Sequence, residues 1–174
     1  GGVNNEKVWI FDNGSYGFAA GEVTYADPST TVEWNNWSAN WDPGVGHSGD
    51  DAIWESTMTF GLTGGANVTV YNSSSQSTAV GTFMLNVDDH TITFTDCELL
   101  HTPSWSDRST NWNRNLKLLE LDENHMRIGV MRDNSEGPWW LVWNFVSKEY
   151  ADNYVPEDRP DPEPALPDGW EDMV

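Results

Sequence analysis

An all-β fold is what this 174-residue sequence predicts: an antiparallel two-sheet β-sandwich of jelly-roll type, with little helix. Three observations predict it. Apolar and polar residues alternate with a period of two in short runs, Gly, Asn and Asp turns separate the runs, and no long stretch carries a helical apolar stripe. Taken in order, Met58, Phe60 and Leu62 alternate with Thr57, Thr59 and Gly61. Val68–Tyr71, Phe83–Val87 and Ile92–Phe94 show the same period, and Asp88-Asp89-His90 reads as a hairpin turn. Asp122-Glu123-Asn124 does the same between Leu116–Leu121 and Met126–Met131. Asn134–Pro138 turns the chain into Trp139–Val146, which is apolar on both faces and so is expected to be covered on both sides or to line a groove.

Composition divides the chain in two. Residues 1–155 read as one β domain. Residues 156–174 hold five of the nine prolines and seven of the 28 acidic residues, the composition of an extended linker or tail. The formal charge of −20 argues against nucleic acid and anionic membranes, because no Lys/Arg patch exists to displace counterions. No apolar stretch is long enough to span a bilayer, so no membrane insertion of the domain is expected. Cys97 is the single cysteine, which excludes an internal disulfide; we expect it packed as a small hydrophobe on a strand. Asn13, Asn36, Asn67 and Asn72 each open an Asn-x-Ser/Thr sequon. His47, His90, His101 and His125 are scattered, without zinc-ligand spacing. No cofactor is expected. A structural calcium ion stays open on acidity alone, although no Asp-x-Asp-x-Asp-Gly loop is present.

Eleven tryptophans carry the functional signal. Trp34, Trp37 and Trp41 fall among Asn35, Asn36, Asn40, Asp42, Pro43 and Gly44, a loop composition that places rings at the surface. Their spacing also fits a short helix whose Trp stripe plugs the sandwich, against which stand the poor helix formers between them. Trp105 and Trp112 accompany Asp107, Arg108 and Asn111; an exposed pair beside planar donors is what orients a saccharide, whereas rings folded under a long hairpin loop are the structural alternative. Trp139 and Trp143 share a face with Leu141 and Phe145 and read as core, as do Trp9 and Trp54. Trp140, on the opposite face, is a candidate floor for a binding groove. The expected ligand-binding set is therefore Trp34, Trp37, Trp41, Trp105, Asp107, Arg108, Asn111, Trp112 and Trp140. Flat rings would stack on sugar faces while Asn, Asp and Arg read hydroxyl positions, making a non-catalytic carbohydrate-binding module. The alternatives are a glycoside hydrolase, using a carboxylate pair drawn from Glu33, Asp42, Asp50, Asp51 or Glu55, and a structural spacer module.

Several phrases carry a resemblance. Phe94-Thr95-Asp96-Cys97-Glu98-Leu99-Leu100-His101 is followed by Asn111-Trp112-x-Arg114-Asn115-Leu116-Lys117, by Leu121-Asp122-Glu123-x-x-Met126 and by the run Arg132–Val146; Lys7–Asp12 and Tyr16–Phe18 open the chain. Together they resemble the β-sandwich modules of surface glycan-binding lipoproteins encoded in polysaccharide utilisation loci of gut Bacteroidetes. The resemblance implies a non-catalytic role at the outer-membrane surface, capturing polysaccharide for a neighbouring importer within a lipid-anchored protein of several linked modules. It implies no particular sugar-contact residues. The lipid-bearing cysteine of such proteins is absent here, as expected of one module of a longer chain.

Overall fold

The computed structural model describes residues 5–156. Most of the expected tail, from Glu157 onward, lies outside the described residues. Eleven strands are present: β1 (Glu6–Phe11), β2 (Val23–Ala26), β3 (Val32–Glu33), β4 (Asn36–Trp37), β5 (Thr57–Gly61), β6 (Asn67–Asn72), β7 (Ser77–Asn86), β8 (Thr91–Thr95), β9 (Leu116–Leu121), β10 (His125–Met131) and β11 (Trp140–Ser147). A six-residue helix α1 (Lys148–Asn153) follows, started by Ser147, whose hydroxyl accepts the Tyr150 N–H. The expected strands and hairpin turns are all found. Among the described residues no helix is long and apolar enough to cross a membrane.

The two-sheet sandwich is not what these strands build. β5 to β11 run as a continuous antiparallel meander, and β1 pairs with β5 on one side and β11 on the other. The pairs Glu6↔Gly61 to Trp9↔Met58 and Trp9↔Ser147 to Phe11↔Phe145 close the sheet into an eight-stranded barrel. The physical reason is edge satisfaction. In a sandwich each sheet leaves two unpaired edges, whereas here the first strand pairs with the last and the meander has none.

β11 changes partner along its length. Phe145–Ser147 pair with β1, while Trp140–Trp143 pair with β2. At the switch, the Asn144 carbonyl accepts the Asp12 N–H, its own N–H goes to the Glu22 carbonyl, and its side chain donates to the Gly21 carbonyl. Residues 12–22 are thus an excursion out of the barrel wall that returns as β2. Gly81 permits another close approach: a Cβ there would sit 2.0 Å from the Thr95 carbonyl oxygen, so β7 lies against the end of β8 only without a side chain.

The inward phase supplies one apolar core. Trp9, Phe11, Met58, Val68, Phe94, Leu118, Ile128, Leu141, Trp143 and Phe145 all belong to it. A second, smaller cluster forms on the outside, where Val32 and Trp37 of the β3–β4 hairpin cover Leu119, Val142 and Trp140. This explains why β11 is apolar on both faces: one face fills the barrel and the other lies beneath the hairpin. Cys97 is buried just after β8 rather than on a strand, and burial pushes its thiol up to about 11.

Candidate functional site

The ends of the barrel differ in how their strands are joined. At the turn end, β5–β6, β7–β8 and β9–β10 are linked by short turns. At the loop end lie the long β8–β9 connection, residues 96–115, and the β10–β11 connection, residues 132–139.

The β8–β9 connection folds inward and plugs the loop end. Trp105, on a short 3-10 helix (Pro103–Arg108), and Trp112 are only 3% and 2% exposed. The expectation that both rings stand at the surface is therefore corrected. Each meets the wholly buried Trp143, Trp105 edge-on at 5.5 Å and Trp112 tilted at 6.0 Å. The polar handle of Trp112 is satisfied inside the plug. Trp112 Nε1 donates to the Ser106 carbonyl at 2.9 Å, and the His101 ring stacks on Trp112 at 3.6 Å. Because the Leu99 carbonyl, 2.6 Å away, can only accept, His101 Nδ1 carries the proton, leaving Nε2 to accept the Ser106 hydroxyl. Burial holds the His101 pKa down to about 4, so the ring is neutral at physiological pH.

Beside the plug, an aromatic patch reaches solvent. Trp41 forms an isolated bridge with Tyr25 of β2 and packs on the Tyr25 ring at 4.6 Å. With 51% of its surface exposed, it is the most open tryptophan among the described residues. His47 sits edge-on to Trp41 at 5.0 Å and to Trp105 at 5.7 Å, and its Nε2 is 2.9 Å from the Tyr25 hydroxyl. Burial, and then the Arg108 charge, lower the His47 pKa, which favours the neutral ring. The Arg108 guanidinium lies 3.8 Å above the Trp105 ring, a contact of about 1 kcal/mol. Glu22 holds the loop that carries His47. Fully buried, it accepts the Gly46 N–H and the Ser48 hydroxyl, each at 2.8 Å. Gly21 lets that loop pass: a Cβ there would come 2.6 Å from the Gly44 carbonyl oxygen.

The nine expected residues therefore separate into two places. Trp41, Trp105 and Arg108 come together in the patch, with Trp112 beneath it. Asp107 is exposed on the same 3-10 helix, and Asn111 is drawn toward β10, donating to the Met131 carbonyl. Trp34, Trp37 and Trp140 lie elsewhere, and the helical alternative for 34–41 is replaced by the β3–β4 hairpin. Trp34 stacks on His90 at 4.6 Å. Trp37 Nε1 donates to Glu120 at 2.8 Å, with Arg127 over its ring at 5.4 Å. Trp140 is half-buried under Lys117, which also bonds the Val32 carbonyl and Glu33. Of the carboxylates considered for catalysis, Glu33 is paired with Lys117, and Asp50 accepts the Ala52 N–H and the Ser74 hydroxyl. Among the described residues no group of three or more His, Cys, Asp or Glu is gathered as a metal site.

The turn end is open. A cavity of about 320 Å³ enters the barrel there, walled by Trp9, Phe60, Phe83, Ile92, Leu118 and Met126, with Lys7 and Asp122 at its rim. Sequence reasoning missed this cavity, along with Tyr25 and His47. One signal was available for the cavity: Leu62, Leu85 and Leu121 each continue the inward phase of a strand right up to a turn. No local signal marks His47, whose position depends on Glu22 in a different segment. No protein-family model matches this sequence, and no curated protein matches it either.

Proposed function

We propose that the protein is a non-catalytic carbohydrate-binding module whose binding surface is the Trp41 patch. One observation carries the reading: Trp41 offers half its surface as a flat apolar face, backed by Tyr25 and flanked by His47 and by the Arg108–Trp105 pair. Indole faces attract the polarised C–H groups of a sugar ring, and the neighbouring donors and the exposed Asp42 and Asp107 would meet its hydroxyls. Indole stacking contributes roughly 1–3 kcal/mol per ring, by analogy with base stacking. After the cost of association, a patch with one open ring gives affinities in the millimolar to micromolar range. Linked modules on one surface protein would raise this by avidity, in keeping with the sequence resemblance to bacterial surface glycan-binding proteins.

Affinity electrophoresis against a panel of neutral and acidic polysaccharides tests this. At least one glycan should retard the protein, Trp41→Ala should abolish the retardation, and the melting temperature should change little. Prolonged incubation with that glycan should release no new reducing ends. Migration unaffected by every glycan, or retardation untouched by Trp41→Ala, removes the patch as the site; new reducing ends remove the non-catalytic reading.

A further inference from the structure

We propose that the turn-end mouth is a second binding site, for a small neutral molecule of the alkyl-alcohol class: an apolar body inside the barrel and one hydrogen-bonding head at the rim. In a well-packed eight-stranded barrel the inward side chains either fill the interior or leave room for one small ligand. Here the interior fills toward the loop end and stays open toward the turn end. Leu85 belongs to the inward phase of β7, paired with Ile92, yet it is 41% exposed. Leu121 on β9 is equally open, and Leu62 and Val87 extend the apolar rim. At roughly 30 Å³ per water-sized group, the 320 Å³ cavity takes about ten non-hydrogen atoms.

Two ionisable groups stand at this mouth. The Asp122 carboxylate is already engaged by the Asn124 and His125 backbone N–H groups and by His125 Nδ1. Lys7 lies 5.2 Å over the Trp9 ring and donates to the Glu123 carbonyl, with further ammonium protons to offer a hydroxyl head. Charge decides the class of occupant. With a net charge of −20 and Asp122 at the opening, an anionic head is disfavoured, and so is a second copy of the chain brought mouth to mouth. A neutral small molecule meets neither penalty.

The test is a fluorescence titration of the whole chain with the neutral apolar probe N-phenyl-1-naphthylamine, followed by displacement with 1-octanol. A saturable rise reversed by 1-octanol is expected. Leu85→Asp and Leu121→Asp, both at partly exposed positions that should tolerate the change, should each weaken binding by about tenfold or more, the equivalent of about 1.4 kcal/mol. Val80→Asp introduces the same charge on the outward phase of the same strand, at a position 65% exposed, and should leave binding unchanged. Sedimentation velocity should show a monomer throughout. The proposal is overturned by the absence of a saturable signal, by equal loss in Val80→Asp, by a dimer that Leu85→Asp dissociates, or by Leu85-dependent pelleting with phosphatidylcholine vesicles.

Discussion

The loop end and the turn end of the barrel are built from the same alternating strands, yet one is sealed and the other open. At the loop end, a connection of ordinary surface composition inserts two indoles, an imidazole and Leu99-Leu100 into the barrel and satisfies the Trp112 N–H and both nitrogens of the His101 ring. At the turn end, three- to five-residue connections are too short to reach back over the opening, so inward-phase leucines face water. The difference teaches that closure of a barrel end is set by the length of its connections rather than by the strands, which are apolar inside at both ends. It also places stability at one end and leaves adaptable apolar surface at the other.

The largest expected effect breaks the sealed end. Trp112→Ala removes a buried ring stacked on His101 and touching Trp143, and should cost about 3–5 kcal/mol in urea unfolding. Phe83→Ala, at the half-buried wall of the open end, should cost distinctly less. Similar losses for the two would show that the ends are equally packed.

Acid titration is next in size. His101 has its pKa lowered in the folded state to about 4, against about 6.5 when unfolded. The unfolded chain therefore takes up the proton first. This group's contribution is fully present above pH 6.5 and is lost as pH falls from 6.5 toward 4, by on the order of 2–3 kcal/mol. His101→Phe should remove that slope from unfolding free energies measured between pH 7 and 4.5; an unchanged slope would mean His101 is not the titrating group. Asp12 works in the opposite sense, since burial raises its pKa and its contribution declines as pH rises past the carboxylate range.

Glu22 links the sealed end to the open patch. Glu22→Ala leaves the Gly46 N–H and the Ser48 hydroxyl without their acceptor and should cost about 1–3 kcal/mol. It should also weaken glycan retention, because the loop carrying His47 loses its anchor. A variant that is destabilised but binds normally would separate that loop from the patch.

The smallest effect belongs to the open rim. Leu62→Ser and Leu121→Ser should change stability by no more than about 0.5 kcal/mol, as expected where a side chain packs against little. A loss several times larger would show that the rim is covered in solution.

Reading the sequence recovered the strands and turns but mistook how they assemble and where two key rings lie. Met126–Met131 and Leu116–Leu121 were legible because alternation is local: a period of two puts one set of side chains on one face whatever the partner strand. The same pattern serves a sandwich and a barrel equally. Trp105 and Trp112 sit among Ser, Asp, Arg and Asn, a composition typical of surface loops, and the hint that they turn inward was the apolar Leu99-Leu100 upstream in the same segment. Trp41 was legible as an exposed ring, but its grouping with Tyr25, His47 and Arg108 was not, since three separate segments supply those side chains.

By itself, then, the sequence determined the all-β character, the hairpin positions, the two-faced burial of Trp140–Val146 and the strongly acidic net charge. Only the tertiary structure decided that Trp9 meets Ser147 and so closes the barrel, that one end is plugged and the other open, and which side chains gather around Trp41. The reason is physical. Backbone alternation and turn geometry act over a few residues, whereas closure and burial depend on which distant edges find each other and how much space remains between them.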